Sequence, residues 1–202
     1  MSTFIRSCVL TKIVVFPLTM TRPSYTESFA VLSERIDIIG DPLPSIHRPP
    51  RHDDDELGPS IFRMSVEEVL IEGLTLPGLY VGRSELVRVS FKDTDLHLSA
   101  FNWSDIFDCD FSGADLSDTD LRACKFLRCN FSGANLAGSD LRGSTFEGST
   151  FSDADLRNAL LQRRRKLFGL VSTSMDESHL ELSAEQRRSL RWSDDAPEPG
   201  GG

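Results

Sequence analysis

A large apolar residue returns at every fifth position from Phe91 to Leu161, fifteen times without a miss. Two residues before each of them stands a small or compact side chain, from Val89 through Ala159. Neither a helix, with a period of about 3.6 residues, nor a strand, with a period of about 2, holds a five-residue phase on one face. This stretch is therefore predicted to wind as a solenoid of stacked repeats.

Three segments spell out the repeat most clearly, namely 114–116, 134–136 and 154–156, which read Ala-Asp-Leu or Ala-Asn-Leu. They resemble the A(D/N)LXX unit of the pentapeptide-repeat family. The resemblance implies a right-handed β-helix of square cross-section, with four units per coil and with the large and the small residue both pointing inward. Residues twenty positions apart support this independently, because like stacks on like. The predicted structural core contains Phe91, Phe111, Phe131, Phe151, Leu96, Leu116, Leu136 and Leu156.

The phase extends backward in a degenerate form through Ile71, Leu76, Val81 and Leu86, with bulkier partners two residues before them. We interpret residues 71–90 as an atypical first coil, of the kind that caps a repeat array. The predicted fold class is an all-β solenoid, a right-handed quadrilateral β-helix of about five coils, with short capping helices and flexible termini. At about 4.8 Å per coil it would be about 23 Å tall.

Both ends of the solenoid carry helix signals. Ser65-Val66-Glu67-Glu68 fits a capping box, which predicts a one-turn helix over the open end of the first coil. Lys166 breaks the phase at the other end, and the apolar residues of 160–169 predict a closing helix that ends at Gly169. A second short helix is predicted over 183–192 from another capping pattern.

The domain prediction has three parts. Residues 1–60 do not share the phase, and the proline-rich and acidic stretch 40–59 cannot bury enough surface to fold alone, so 1–60 is predicted to be a poorly structured extension and linker. Within it, 29–39 is apolar enough for one strand or short helix without an evident partner. Residues 61–168 are the predicted β-helix with its caps. Residues 169–202 are the predicted tail with a short helix.

Charge and hydropathy exclude two classes of partner. The chain has 31 acidic against 22 basic residues and a net charge of −9, which argues against a nucleic-acid-binding surface. No stretch approaches the roughly 18 uninterrupted apolar residues of a membrane span. The run Cys8–Phe16 is too short and contains Lys12, and as a secretion signal it lacks a clean cleavage site. We therefore expect a cytoplasmic protein without a membrane or nucleic-acid partner.

The four cysteines are Cys8, Cys109, Cys124 and Cys129, and they show no CxxC or paired Cys/His spacing. Such usage fits a reducing compartment. Cys109 and Cys129 would lie one coil apart, with Cβ atoms about 4.8 Å apart rather than the roughly 3.8 Å of a disulfide. We predict buried thiols that fill small inward positions.

No catalytic site is evident. The four histidines are His47, His52, His97 and His179, and none stands in a triad or metal-ligand pattern. GxSxG, HExxH and P-loop motifs are absent. The glycines at 138, 143 and 148 follow the five-residue period and mark corners. The sequence predicts a protein without catalytic residues, cofactor or metal.

A candidate acidic surface consists of outward aspartates, and residues 71–161 carry fourteen acids and eight bases, a net of −6. Some members of the pentapeptide-repeat family protect DNA gyrase from quinolones by imitating duplex DNA, which the resemblance implies as an alternative function. A duplex of the same height would carry about 14 phosphates, more than twice this charge. The other interpretation is a repeat that simply prefers Asp or Asn here. The aspartates chosen are Asp95, Asp110, Asp115, Asp120, Asp140 and Asp155.

A candidate partner surface is an outward column of Val87, Phe107 and Leu127, with Trp103 near the adjoining corner. A contiguous apolar stripe outside a core indicates either an internal cover or an interface. The cover would be Cys8–Phe16 or the closing helix. The interface would be with another protein or with a second copy in a homodimer.

The predicted function is that of a non-enzymatic protein-binding scaffold. Small acidic bacterial proteins of the pentapeptide-repeat family resemble immunity partners of toxins or regulators of another protein. DNA mimicry at gyrase or topoisomerase is the alternative, and a rigid rod without a tight partner is a third possibility.

Overall fold

In a computed structural model, short parallel strands joined by turns stack one above another over residues 60–161. The structure describes residues 21–41, 45–54, 58–161, 166–167, 170–171 and 182–192. Two helices lie at the ends. The helices are α1 (Tyr25–Arg35) and α2 (Ala184–Ser189). The strands are β1 (Ser60–Phe62), β2 (Ser65–Glu67), β3 (Tyr80–Gly82), β4 (Glu85–Val87), β5 (Ala100–Asn102), β6 (Asp105–Phe107), β7 (Lys125–Leu127), β8 (Thr145–Glu147), β9 (Leu160–Leu161), β10 (Lys166–Leu167), β11 (Leu170–Val171) and β12 (Arg191–Trp192).

In the two larger sheets, neighbouring strands lie twenty residues apart in the sequence and pair in parallel. Leu86 lies opposite Ile106, and Ile106 opposite Phe126, so the predicted twenty-residue coil is confirmed. One side carries the five-stranded sheet β2-β4-β6-β7-β8, and another carries β1-β3-β5. The five stacked strands span four turns, so the coil count differs slightly from the predicted five.

The core is a set of stacked side-chain columns, because every inward position meets its equivalent one coil away. The Phe131 ring lies parallel to those of Phe111 and Phe151, with centroids 5.0 and 4.9 Å apart. Phe126 and Phe146 form a neighbouring stack at 4.7 Å. All eight residues of the predicted structural core are buried.

The corners of the solenoid are residues with a left-handed backbone. Every fifth residue from Arg63 to Asn158 has a positive φ. Glycine holds seven of these corners, among them Gly138, Gly143 and Gly148, and other residue types hold the rest. A residue with a Cβ at such a corner stores strain of about 1–2 kcal/mol.

Ala123 stands at one of these corners with a φ of 56°. We expect Ala123→Gly to raise the free energy of unfolding by about 0.5–1 kcal/mol, because the relieved strain exceeds the added chain entropy. The matched control is Ala137→Gly, two residues after Asn135 and outside the left-handed positions, which should lower stability by about 0.5–1 kcal/mol. Urea unfolding measures both, and equal losses would contradict the strain argument.

Helix α1 closes the first end of the solenoid. It begins at a capping box of Ser24 and Glu27. Ser28 and Leu32 are fully buried, and the Thr75 amide donates a hydrogen bond of 2.8 Å to Ser28 Oγ. This helix overlaps the stretch 29–39, for which the sequence predicted one strand or short helix without an evident partner, and the first coil is that partner.

The one-turn helix predicted over Ser65–Glu68 is wrong, since Ser65–Glu67 is strand β2. Val66 points inward and lies opposite Leu86 in the ladder. The burial of Val66 in this column outweighs the local capping pattern. An exposed strand of the same composition fits that pattern equally well.

The closing helix predicted over 160–169 is also wrong where the structure describes these residues. Leu160–Leu161 is strand β9, and Lys166–Leu167 pairs antiparallel with Leu170–Val171. Leu161 is 1% exposed, because it extends an inward column and this fixes the chain as a strand. Residues 162–165, 168 and 169 lie outside the described ones.

The last coil is covered by α2 and β12. The short helix predicted over 183–192 exists as α2, with a capping box of Ser183 and Gln186. Gln186 Nε2 donates hydrogen bonds to the carbonyl oxygens of Phe151 (2.7 Å) and Ala154 (3.0 Å). Gln186 thus caps carbonyl oxygens of the last coil, where no further coil continues the ladder. Among the described residues, neither helix is long and apolar enough to cross a bilayer.

Candidate interaction face

The outer surface of the sheet β2-β4-β6-β7-β8 is the candidate interaction face. In each strand the middle residue points inward and its two neighbours point outward, as the two-residue period requires. The third residues stack in register, with Val87 opposite Phe107 and Phe107 opposite Leu127. We call these three residues the apolar stripe. Glu67 and Glu147 stand at its two ends.

Charged residues border the apolar stripe on the same strands. The first residues of the strands include Glu85, Asp105 and Lys125, all exposed. Lys125 Nζ lies 5.6 Å from the centroid of the Phe107 ring, which is cation–π geometry. The stripe residues themselves are half-buried by these neighbours.

The two covers that the sequence suggested for the stripe do not supply one in the described structure. Cys8–Phe16 lies outside the described residues, and the closing helix does not form over Leu160–Leu161. Among the described residues, the hydrogen bonds of α1 and α2 reach the two ends of the solenoid and not this face. The stripe is thus uncovered by the part of the chain that the structure describes.

Trp103 stands at the corner before β6 and is 72% exposed, the most exposed large apolar residue described. Its backbone is left-handed, with a φ of 55°. Every corner of the solenoid has this conformation, and thirteen of the twenty corners carry a residue other than glycine. The exposure of its ring, and not its backbone, therefore sets Trp103 apart.

At the corner that follows the strands of the face, arginines and carboxylates of the chain neutralise one another. Arg88 pairs with Glu67 and Glu68, and Arg128 Nε lies 2.6 Å from Asp108 Oδ1. The Arg128 guanidinium holds the pKa of Asp108 below its ordinary value. These arginines bridge successive coils and leave little charge to offer a partner.

The aspartates of the candidate acidic surface accept hydrogen bonds from the backbone. In each case a side-chain oxygen accepts the amide hydrogen of the residue two positions later, a turn for which Asp and Asn are suited. Asn130 and Asn135 make the same hydrogen bond. The preference for Asp or Asn at this repeat position therefore has a structural cause. The six acceptors are Asp95, Asp110, Asp115, Asp120, Asp140 and Asp155.

Three of these aspartates are also paired with an arginine on the same turn. The pairs Asp120–Arg122, Asp140–Arg142 and Asp155–Arg157 each have an N–O distance of 2.6 Å. Hydrogen bonding to Arg157 lowers the pKa of Asp155. Asp120 is itself buried. The acidic surface is therefore partly compensated and lacks the unbroken row of free charge found on a duplex.

Two substitutions of Asp115 distinguish the contribution of its hydrogen bonds to stability from the contribution of its charge. Its Oδ1 accepts from the amide of Ser117 and from Asn135 Nδ2, at 3.1 and 3.0 Å. We expect Asp115→Ala to lower the free energy of unfolding by about 1 kcal/mol, because it removes the acceptor. Asp115→Asn keeps an amide oxygen there and should cost under about 0.5 kcal/mol. Equal losses in urea unfolding would show that the charge matters instead.

The described thiols are inert. Cys109, Cys124 and Cys129 are free and buried. Burial raises the pKa of Cys109 and Cys124 to about 12 and that of Cys129 to about 11, so none is a thiolate near neutral pH. Each donates to the carbonyl of a residue one coil back, as Cys129 does to Ile106 at 3.4 Å.

Metal ligands do not cluster in the described residues either. No group of three or more His, Cys, Asp or Glu there is placed to hold an ion. His97 Nδ1 lies 2.7 Å from Asp95 Oδ1, next to its own turn. His179 and Cys8 lie outside the described residues.

Sequence reasoning missed the corner residues Arg63 and Arg83. They lie forty and twenty residues before Trp103 and share its left-handed corner. The sequence signal that identifies these two residues is their offset of twenty residues, the same offset that relates the residues of the apolar stripe. Arg63 was overlooked because the predicted coils began at residue 71, whereas the ladder begins at Ser60; Arg83 lies within the predicted first coil, but its corner was not compared with that of Trp103.

The fold and the repeats define the class of protein, a β-solenoid of five-residue units. The family model of pentapeptide repeats matches residues 84–122 and 124–163, in eight copies. Residues 84–163 accordingly carry pentapeptide repeats as that family model describes them.

Several solved structures are similar. A pentapeptide repeat protein from the thylakoid lumen of Arabidopsis thaliana is 28% identical, with a TM-score of 0.47 over 48% of this chain and 67% of that one. HetL of the cyanobacterium Nostoc, involved in heterocyst differentiation regulation, is 18% identical, with a TM-score of 0.22 over 51% and 58%. Full-length QnrB1, a plasmid-mediated fluoroquinolone resistance protein, is 12% identical, with a TM-score of 0.27 over 67% and 94%. No curated protein sequence matches the chain.

Proposed function

We propose that this chain is a non-enzymatic scaffold that binds another protein through its candidate interaction face. The observation that carries the proposal is the apolar stripe, which lies in register on the outside of a rigid sheet beside the exposed Trp103. An apolar centre within a charged border is the usual anatomy of a protein interface. Aromatic side chains such as Phe107 and Trp103 are frequent binding hot spots.

The chemistry of the described residues supports binding rather than catalysis. The three described cysteines are protonated and buried, and the described histidines are not grouped with a nucleophile or a metal-ligand set. The shared fold alone does not define a role. Within the binding class, we propose a dedicated protein partner, such as a toxin that the chain neutralises or a protein that it regulates.

DNA mimicry is the second candidate, and the net charge of −9 is what favours it. It requires carboxylates that are free to meet a DNA-binding surface. The turns and arginine pairs occupied by the six aspartates count against it. Binding of that kind would also weaken steeply with salt.

The test is affinity capture with the full chain as bait, because α1 forms part of the solenoid's end. We expect Phe107→Ser to reduce the captured partner by about tenfold or more, which corresponds to the loss of one aromatic anchor. The matched variant Asp115→Asn/Asp140→Asn should retain it, and rising salt should elute it late. The thermal midpoint of each variant shows that it is folded.

Two outcomes would count against the proposal. Topoisomerase subunits that elute at low salt and are lost from the Asp115→Asn/Asp140→Asn bait would favour DNA mimicry. Unfolding of Phe107→Ser would show that the stripe is internal packing. Light scattering of the full chain separates a homodimer from a complex with a different protein.

A further inference from the structure

A second set of residues borders the interaction face at the corner before its strands. Arg63, Arg83 and Trp103 occupy this corner in three successive coils, with φ values of 55°, 51° and 55°. All three side chains are exposed. We call them the Arg–Trp corner. A left-handed backbone is the rule at the corners of this solenoid, so the column is distinguished by three large side chains that are exposed in successive coils on one edge of the interaction face.

Within the part of the chain that the structure describes, the two arginines lack an acidic partner. Among the described residues, every ion pair within 4.0 Å involves other groups, and the Arg63 guanidinium lies 5.2 Å from the centroid of the Phe62 ring. The corner on the opposite edge of the same strands behaves differently. There Arg88 and Arg128 are both neutralised by carboxylates of the chain. The Arg–Trp corner is therefore an edge of this face where, among the described residues, two arginines have no carboxylate within ion-pair distance.

Two guanidinium groups one coil apart repel each other, since stacked strands are about 4.8 Å apart. A carboxylate between them would relieve the repulsion and accept paired hydrogen bonds from the planar groups. Trp103, one coil further along, offers a flat apolar surface beside that anion. The column thus combines an anion site with an aromatic platform.

The surroundings favour a short acidic group over a polyanion. Glu85 and Asp105 line the same shallow cavity of about 470 Å³ as Arg83 and Trp103. Their charges would repel a continuous phosphate backbone, as would the net charge of −9. A single carboxylate on a peptide would meet this repulsion with one charge only, while it gains two guanidinium partners.

We propose that the Arg–Trp corner binds a segment of the partner protein in which a carboxylate stands next to an apolar or aromatic side chain. The carboxylate lies between Arg63 and Arg83, and the apolar side chain packs on Trp103. This inference rests on the proposed function and names the chemistry that the partner brings to one edge of the interaction face.

The test is selection of random dodecapeptides displayed on phage against the full chain, with Arg63→Gln/Arg83→Gln as the counter-selecting protein. We expect peptides that carry Asp or Glu beside an apolar residue, and binding at least about tenfold weaker to the double variant, because a charge-assisted contact is lost. Trp103→Ser should weaken the same peptides. The matched control Arg88→Gln/Arg128→Gln removes the self-paired arginines and should bind them as the unaltered chain does.

Selected peptides without a carboxylate, or the absence of any peptide that distinguishes the two proteins, would overturn the proposal. Inorganic phosphate that competes as strongly as the peptides would identify a phosphate site and also overturn it. The proposed function is tested separately by partner capture. Capture that depends on Phe107 but not on the two arginines would leave the proposed function standing and this inference refuted, whereas capture that depends on neither refutes both.

Discussion

Replacing Phe131 with alanine is expected to lower the free energy of unfolding by about 3–5 kcal/mol. The ring is fully buried and lies in the middle of a column, in parallel contact with Phe111 and Phe151. It also packs edge-on against Phe126 and Phe146, at 5.4 and 5.8 Å between centroids. Its removal leaves a cavity that the rigid coils above and below are poorly able to close. Urea unfolding followed by circular dichroism at a β-sheet wavelength measures the loss.

The end of the same column provides the comparison. Phe151 stacks on Phe131 on one side only, and its other side faces the last coil's cap. Phe151→Ala should cost clearly less than Phe131→Ala, because fewer surrounding atoms are fixed by further coils. An equal or larger loss for Phe151→Ala would mean that the columns do not transmit packing along the solenoid.

Leu32→Ala is expected to cost about 2–5 kcal/mol. Leu32 lies on the buried side of α1, outside the repeats, and its side chain belongs to the same core as Ile71 and Leu74. Loosening the helix also uncovers the first coil, whose unpaired edge then favours pairing between molecules. We expect a lower unfolding midpoint in urea together with concentration-dependent association in light scattering.

The control for this prediction is Glu34→Ala, an exposed position on the same helix. It leaves the buried side of α1 intact and should change stability by less than about 0.5 kcal/mol. If Leu32→Ala unfolded at the same urea concentration as Glu34→Ala, α1 would be an attachment rather than a cap.

The solenoid and its core were predictable because a five-residue phase leaves the chain few alternatives. Once Phe111 is known to stack on Phe131, the twenty-residue register places every outward residue, and the apolar stripe follows from Val87, Phe107 and Leu127. The function of the acidic positions was less accessible. Only coordinates show that Asp115 accepts the amide of Ser117.

The caps were harder to predict than the coils. Ser65 and Glu68 carry a capping pattern, yet Val66 enters the inward column and makes the segment a strand. Helix α1 contacts the solenoid through few buried residues, so its sequence does not indicate what it covers. Local patterns identify a helix end, whereas tertiary burial decides whether the helix forms and where it packs.

The twenty-residue register restricts how such a chain can change in length during evolution. Gain or loss of a whole coil between β4 and β8 would lengthen or shorten the face by one rung and leave every other residue on its own side. An insertion of a single five-residue unit would turn everything after it by a quarter of the square, and Leu127 would leave the side that carries Phe107. Among changes of length, gain or loss of whole coils therefore keeps the register, and the candidate interaction face would grow or shrink in the same increments.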